Sequence, residues 1–207
     1  MLSAVIVVVA TADDHIYKLR AIGNLTNTNW KDVINSVTYN SDGTILAVNG
    51  DKSLGVYTKG SLSNFLIKRN ISNSYKSYYS VFSMDSTELV SVGSSLSISI
   101  YLKEPRVTNY SLAQSIQINS ASPASYVRAA ITEDNRRIIA LSDNGLVTVL
   151  LRQADNSFAL EDSFSSGSPT GRTMVVRFGG KLVTSGSDNK IKVWQFSYTT
   201  NRYALLQ

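Results

Sequence analysis

Apolar and polar residues alternate with a period of two along most of this chain, in short runs separated by turns rich in Ser, Asn, Asp and Gly. That period belongs to β-strands, whose successive side chains point to opposite faces. The clearest instance is Leu182 to Trp194, LVTSGSDNKIKVW. It reads as a strand, a polar turn around Ser187-Asp188-Asn189, and a second strand with Ile191 and Val193 on one face. Val7 to Leu19 (VVVATADDHIYKL), Ile45 to Tyr57 (ILAVNGDKSLGVY) and Leu89 to Tyr101 (LVSVGSSLSISIY) fall on the same template without a gap. Ile138 to Leu150 (IIALSDNGLVTVL) follows it with its turn acid, Asp143, one place early. The units begin at 7, 45, 89, 138 and 182, in steps of 38, 44, 49 and 44. Those steps straddle the roughly 40–45 residues of a four-stranded propeller blade. Asp13, Asp51 and Asp188 share the turn position, where an Asx side chain bonds its own backbone and closes the hairpin.

Further apolar stretches supply the other strands. Upstream of the hairpins lie Asn35 to Tyr39, Tyr79 to Phe82, Tyr126 to Ile131 and Arg172 to Phe178. Downstream lie Asn64 to Lys68, Ser111 to Ile118, Phe158 to Phe164 and Tyr203 to Leu206. The predicted fold is all-β: a β-propeller of four-stranded antiparallel blades, incomplete or open. It is a single propeller portion over 1–207, with a partial blade at 1–34 and blades at 35–74, 75–122, 123–168 and 169–207. Hairpin turns are expected at 13–15, 50–53, 94–97, 143–145 and 187–190. The pairs Leu54/Val56, Ile98/Ile100, Val147/Val149 and Ile191/Val193 are expected to be buried between blades. Val5 to Val9 is expected at an edge whose inner neighbour is missing or comes from another chain.

The last unit, Thr184-Ser185-Gly186-Ser187-Asp188 followed by Ile191-Lys192-Val193-Trp194, resembles the core of a WD repeat. Gln195 stands where that family has Asp, and the other units put Leu19, Tyr57, Tyr101 and Leu150 at the Trp position. No unit carries the family's Gly-His pair, so its His-dependent hydrogen-bond network is not expected. The resemblance implies an intracellular scaffold that binds protein or peptide partners on the propeller rim.

Composition narrows the chemistry. The 207 residues contain no cysteine, which removes disulfides and thiolate metal sites, and a single histidine, His15. Ala4 to Ala10 (AVIVVVA) lacks a basic flank and is too short for a bilayer, which takes about 20 apolar residues. It is predicted to be a buried strand, and no membrane contact is expected. The net charge of +5 comes from scattered Lys and Arg, without the like-charge block of a nucleic-acid-binding tail.

Asp13-Asp14-His15 offers imidazole and carboxylates, but consecutive turn positions point apart, so a turn-forming role is expected rather than a metal site. Glu161-Asp162, Glu133-Asp134 and Asp13-Asp14 are adjacent, and adjacent strand residues face opposite sides. No phosphate-binding glycine loop occurs. The expectation is a non-catalytic protein without cofactor or metal. The candidate partner surface is the column Asn35, Tyr79, Arg128 and Arg172, one per blade at the entrance to the innermost strand, with Trp30 and Tyr78 nearby. Arg and Tyr suit binding hot spots, here for an acidic or phosphorylated peptide. The structural alternative pairs Arg128 and Arg172 with the turn acids Asp13, Asp51, Asp143 or Asp188. Two other functions stay open: a nucleic-acid- or phosphate-binding module of a ribonucleoprotein-type assembly, and a propeller-type hydrolase.

Overall fold

The computed structural model describes residues 5–13, 16–25, 33–59, 65–72, 75–105, 109–119 and 124–206. Strands β1 (Val5–Asp13) and β2 (Ile16–Leu25) pair as a two-stranded antiparallel sheet. Four sheets of four strands follow. Blade 1 comprises β3 (Ile34–Tyr39), β4 (Ile45–Gly50), β5 (Ser53–Lys59) and β6 (Phe65–Ser72). Blade 2 has β7 (Ser77–Phe82), β8 (Glu88–Gly93), β9 (Ser97–Lys103) and β10 (Tyr110–Gln117). Blade 3 has β11 (Tyr126–Ile131), β12 (Arg137–Ser142), β13 (Leu146–Arg152) and β14 (Phe158–Ser165). Blade 4 has β15 (Gly171–Arg177), β16 (Lys181–Gly186), β17 (Ile191–Ser197) and β18 (Arg202–Leu205). Each blade is an antiparallel meander in sequence order. The first strands β3, β7, β11 and β15 touch one another in series, which makes them the inner strands of a propeller. The only helical element among the described residues is the 3-10 turn Phe178–Gly180.

The core lies between blades, and a repeating two-faced pattern builds it. One face of blade 2, with Val90, Val92, Ile98 and Ile100, packs on Tyr126, Ala129, Ile138, Ala140, Leu150 and Phe158 of blade 3. The corresponding face of blade 3, with Ile139, Leu141, Val147 and Val149, packs on Met174, Leu182, Trp194, Phe196 and Tyr203 of blade 4. Blade 1 presents Ala47, Leu54 and Val56 to Phe82, Leu89, Tyr101 and Tyr110 of blade 2 in the same way. Strict alternation sends every second side chain to each neighbour, so both faces of a middle blade are apolar. Asn49, a fully buried polar group in this layer, is paired: it donates to Ser80 Oγ (2.8 Å) and accepts from Ser77 Oγ (2.7 Å).

Three of the four expected pairs are buried to within 2% of complete. The fourth corrects the expectation: Ile191 is 72% exposed and Val193 half-buried. They lie on the free face of blade 4, where no described sheet covers them, and Val175 on the same sheet is 46% exposed. Trp194 points the other way and is buried against Phe164, its indole donating to Thr184 Oγ1 at 3.0 Å.

The gapless alignment of the repeat also needs correction at blade 1. Asn49 pairs with Leu54, whereas Val92 pairs with Ile98 and Leu141 with Val147. The turn after β4 is therefore one residue shorter, and Ile45 corresponds to Glu88 and Arg137 instead of Leu89 and Ile138. A one-residue slip changes the face of every side chain in a strand.

Turns between the first two strands use Asx and hydroxyl caps. Asp42 accepts from the Thr44 amide (2.9 Å), Asp85 from the Thr87 amide (3.1 Å) and Asp134 from the Arg136 amide (3.0 Å). The Thr44 hydroxyl holds the Asp42 carboxyl below the usual range, and Ser157 does the same for Asp155. Such groups favour the folded chain above their unfolded pKa near 3.9, and that contribution disappears as the pH falls through their lower folded values. The melting temperature is expected to hold from neutrality to about pH 5 and to fall below about pH 4. A flat profile down to about pH 2 would mean that these caps contribute nothing to stability.

Candidate functional site

The inner strands share one irregularity. In each, one residue near the strand start has no partner in the ladder: Asn35 in β3, Tyr78 in β7, Val127 in β11 and Arg172 in β15. A β-bulge of this kind re-aims side chains and sharpens the local twist. By register, Ser36, Tyr79, Arg128 and Thr173 occupy the next rung, opposite Asn49, Val92, Leu141 and Ser185. The column Asn35, Tyr79, Arg128 and Arg172 is therefore not one level. All four stand on successive inner strands, but Asn35 and Arg172 occupy bulges while Tyr79 and Arg128 sit on the rung. Tyr78 shares the bulge position, and Trp30 lies outside the described residues.

Each of these side chains has a distinct setting. Asn35 Nδ2 donates to Asp51 Oδ1 (3.1 Å) and to the Ser77 carbonyl (2.8 Å), bridging blades 1 and 2. Lys76 Nζ donates to the other Asp51 oxygen at 2.9 Å. The hydrogen bond from Lys76, followed by that from Asn35, holds the Asp51 carboxyl below its ordinary pKa. Asn35 thus ties a turn in place. Arg128 Nη1 donates to the Val127 carbonyl at 2.7 Å, and its guanidinium lies 5.0 Å from the centroid of the Tyr79 ring. That contact orients the cation without neutralising it. Arg172 is exposed.

The turn acids have other partners. Asp51 pairs with Lys76, Asp188 with Lys192, and Asp143 Oδ1 accepts from the Ser125 amide at 3.0 Å. Among the described residues neither Arg128 nor Arg172 forms an ion pair with an acid. Two guanidinium groups on adjacent inner strands therefore retain donors for an anionic or carbonyl oxygen. Sequence reasoning missed the Asp51–Lys76 pair, whose partners lie on different blades. The recurrence of Asp at the turn was the available signal.

Among the described residues no group of three His, Cys, Asp or Glu side chains is arranged to hold a metal ion. His15 and Asp14 lie outside them. Among the described residues, no helix is long and apolar enough to cross a membrane.

By sequence the chain matches no protein-family model and no curated protein. By structure it is similar to the periplasmic gluconolactonase PpgL of Pseudomonas aeruginosa, with a TM-score of 0.79, covering 99% of this chain and 62% of that chain at 12% identity. A protein of Bacteroides uniformis assigned as a 6-phosphogluconolactonase superposes with a TM-score of 0.73, covering 85% of this chain and 54% of its own at 10% identity. The WD40 repeats of RRP9 superpose with a TM-score of 0.66, covering 84% and 51% at 15% identity. The chain thus spans less than two thirds of the length of these structures. The likeness establishes a propeller fold; the WD family itself is not supported, since lactonase-type propellers superpose better than the WD40 structure. The same comparison overturns the expectation of a non-catalytic scaffold and turns attention to the hydrolase alternative.

Proposed function

We propose that this chain is part of a propeller hydrolase that opens a small sugar lactone, with Arg128 and Arg172 holding the substrate's electron-rich oxygens. The observation that carries the reading is the pair of acid-free guanidinium groups on adjacent inner strands, in a fold shared with gluconolactonase-type propellers. In lactone hydrolysis water adds to the ring carbonyl, the ring C–O bond breaks, and a carboxylate and a hydroxyl result. Negative charge develops on the carbonyl oxygen and ends on the carboxylate. Fixed cationic donors near that oxygen act where charge develops, which lowers the barrier. Tyr79 holds Arg128 in place from the preceding blade. The absence of cysteine is compatible with either side of a bacterial inner membrane, so the reading does not depend on compartment.

The test is acid release from glucono-δ-lactone, followed with a pH indicator and corrected for spontaneous opening. The protein is expected to accelerate opening, and the double variant Arg128→Ala/Arg172→Ala to lose about 100-fold in kcat/KM while keeping its melting temperature. A rate equal to the uncatalysed one, or full activity in the folded double variant, would remove these arginines from the proposed site.

A further inference from the structure

Neighbouring blades are plugged at the rim that carries the turns between their first two strands, with one exception. Between blades 1 and 2, Asn40 Nδ2 donates to Ser86 Oγ (3.1 Å) and Ser41 Oγ to the Met84 carbonyl (2.7 Å), while Tyr110 Oη braces the same turn from within blade 2 by donating to the Ser86 carbonyl (2.6 Å). Between blades 2 and 3, Asn135 Nδ2 donates to Asp85 Oδ2 (3.2 Å). Arg152 also reaches across to Glu88 there, lying 4.4 Å from the Phe158 ring. Between blades 3 and 4 this construction changes. The position of Arg152 is taken by Phe196, and that of Glu88 by Arg137, which turns back to Glu161 of its own blade at 2.7 Å. Arg137 instead lies 4.0 Å from the Phe196 ring centroid. The connection from Val176 to its partner Leu182 is one residue shorter than that from Ile131 to Ile138. Among the described residues no hydrogen bond joins the two turns.

What remains is a cavity of about 310 Å³ between the blades. Its size falls at the small end of the range for ligand pockets, roughly 300–1,000 Å³. Glu133 and Asp134 line it from blade 3, Arg177 from blade 4, and Phe196, Tyr198 and Tyr203 provide aromatic surface. Gly180, at φ 73°, brings its backbone against Phe196, where an added Cβ would meet the Phe196 Cβ at 2.9 Å. Tyr198 is 72% exposed yet held edge-on to Phe196, with centroids 5.1 Å apart. A large aromatic ring kept at a cavity mouth is an apolar platform open to a ligand.

From this cleft we infer a second binding site, separate from Arg128 and Arg172, for a neutral polyhydroxylated ring such as a monosaccharide. Arg137 is neutralised by Glu161, which leaves two carboxylates and one guanidinium around the cavity. That mixture supplies both acceptors and donors to hydroxyl groups, while its opposed charges discriminate against a strongly charged ligand. The aromatic surface takes the apolar C–H face of the ring. The site uses none of the residues assigned to lactone opening and stands without that assignment.

The experiment is a titration of the whole chain with D-glucose, followed by amide chemical shifts, with tetramethylammonium and inorganic phosphate as charged controls. Saturable shifts are expected at 132–134, 177–180 and 198 with glucose and not with either control. Tyr198→Ala should weaken binding about tenfold or more, a loss near 1.4 kcal/mol, while Tyr198→Phe retains it. Because Tyr198 is exposed, both variants should fold, and their spectra report whether they do. Arg128→Ala/Arg172→Ala should leave glucose binding unchanged, which separates this site from the lactone site. Absence of saturable glucose shifts, preference for either charged probe, or full binding by folded Tyr198→Ala would overturn the inference.

Discussion

Replacing Arg152 with alanine is expected to cost about 3–5 kcal/mol, the range for stripping one partner from a buried ion pair. Its Nη2 donates to both carboxylate oxygens of Glu88 at 2.6 Å, and its Nε donates to the Asn135 carbonyl at 2.9 Å. The Glu88 side chain is only 5% exposed and that of Arg152 19%. Without the guanidinium, a carboxylate remains between blades 2 and 3 with little water to solvate it, and the packing over Phe158 is also lost. Two ions in a low-dielectric cleft cost heavily to desolvate, so removing both charges should be milder than removing one. The double variant Glu88→Gln/Arg152→Met is therefore expected to be more stable than Arg152→Ala. Urea denaturation of the three proteins checks the order. A loss below about 1 kcal/mol for Arg152→Ala would place the pair among solvent-screened surface bridges.

The second large effect compares one repeat position in two blades. Ile98→Ala is expected to cost about 2–5 kcal/mol, because its side chain is fully enclosed between blades 2 and 3 and its removal leaves a cavity. Ile191→Ala, at the equivalent place in blade 4, should change stability by no more than about 0.5 kcal/mol, since the side chain is 72% exposed. Denaturant midpoints at matched protein concentration give both values. A substantial loss at Ile191 would show that its face is covered in solution, by a further sheet or by another molecule.

The contrast between these two isoleucines marks the boundary of what the repeat could say. The alternation in Leu89 to Tyr101 and in Leu182 to Trp194 is the same, and it correctly assigns each residue to a strand and to a face. Burial, however, depends on whether another sheet lies over that face. The column Asn35, Tyr79, Arg128 and Arg172 loses its common level for a related reason. Arg128 and Arg172 stand equally far before their hairpins in sequence, yet one sits on a rung and the other in a bulge. Turn length and bulge position adjust independently, so a gapless alignment drifts by one residue, as it also does at Ile45.

Function was less legible still. The WD-like residues around Trp194 pointed to a scaffold, whereas the solved structures that superpose well include lactonase propellers. The residues that make Trp194 a packing group, its neighbours Phe164 and Thr184, serve any propeller and carry no information about chemistry. Asp51 was visible as a turn former, but Lys76 and Asn35 reach it from positions 25 and 16 residues away.

By itself the sequence determined the strand count of the four full blades, the hairpin turns and the two-faced blade pattern. Each of these follows from local periodicity and turn chemistry, which act over a few residues. Only the tertiary structure decided which acids Arg128 and Arg172 do not meet, why Arg137 faces Phe196 instead of a carboxylate, and where a cavity opens. Those outcomes depend on distances between blades, and they shift with a single residue added to a strand or lost from a turn.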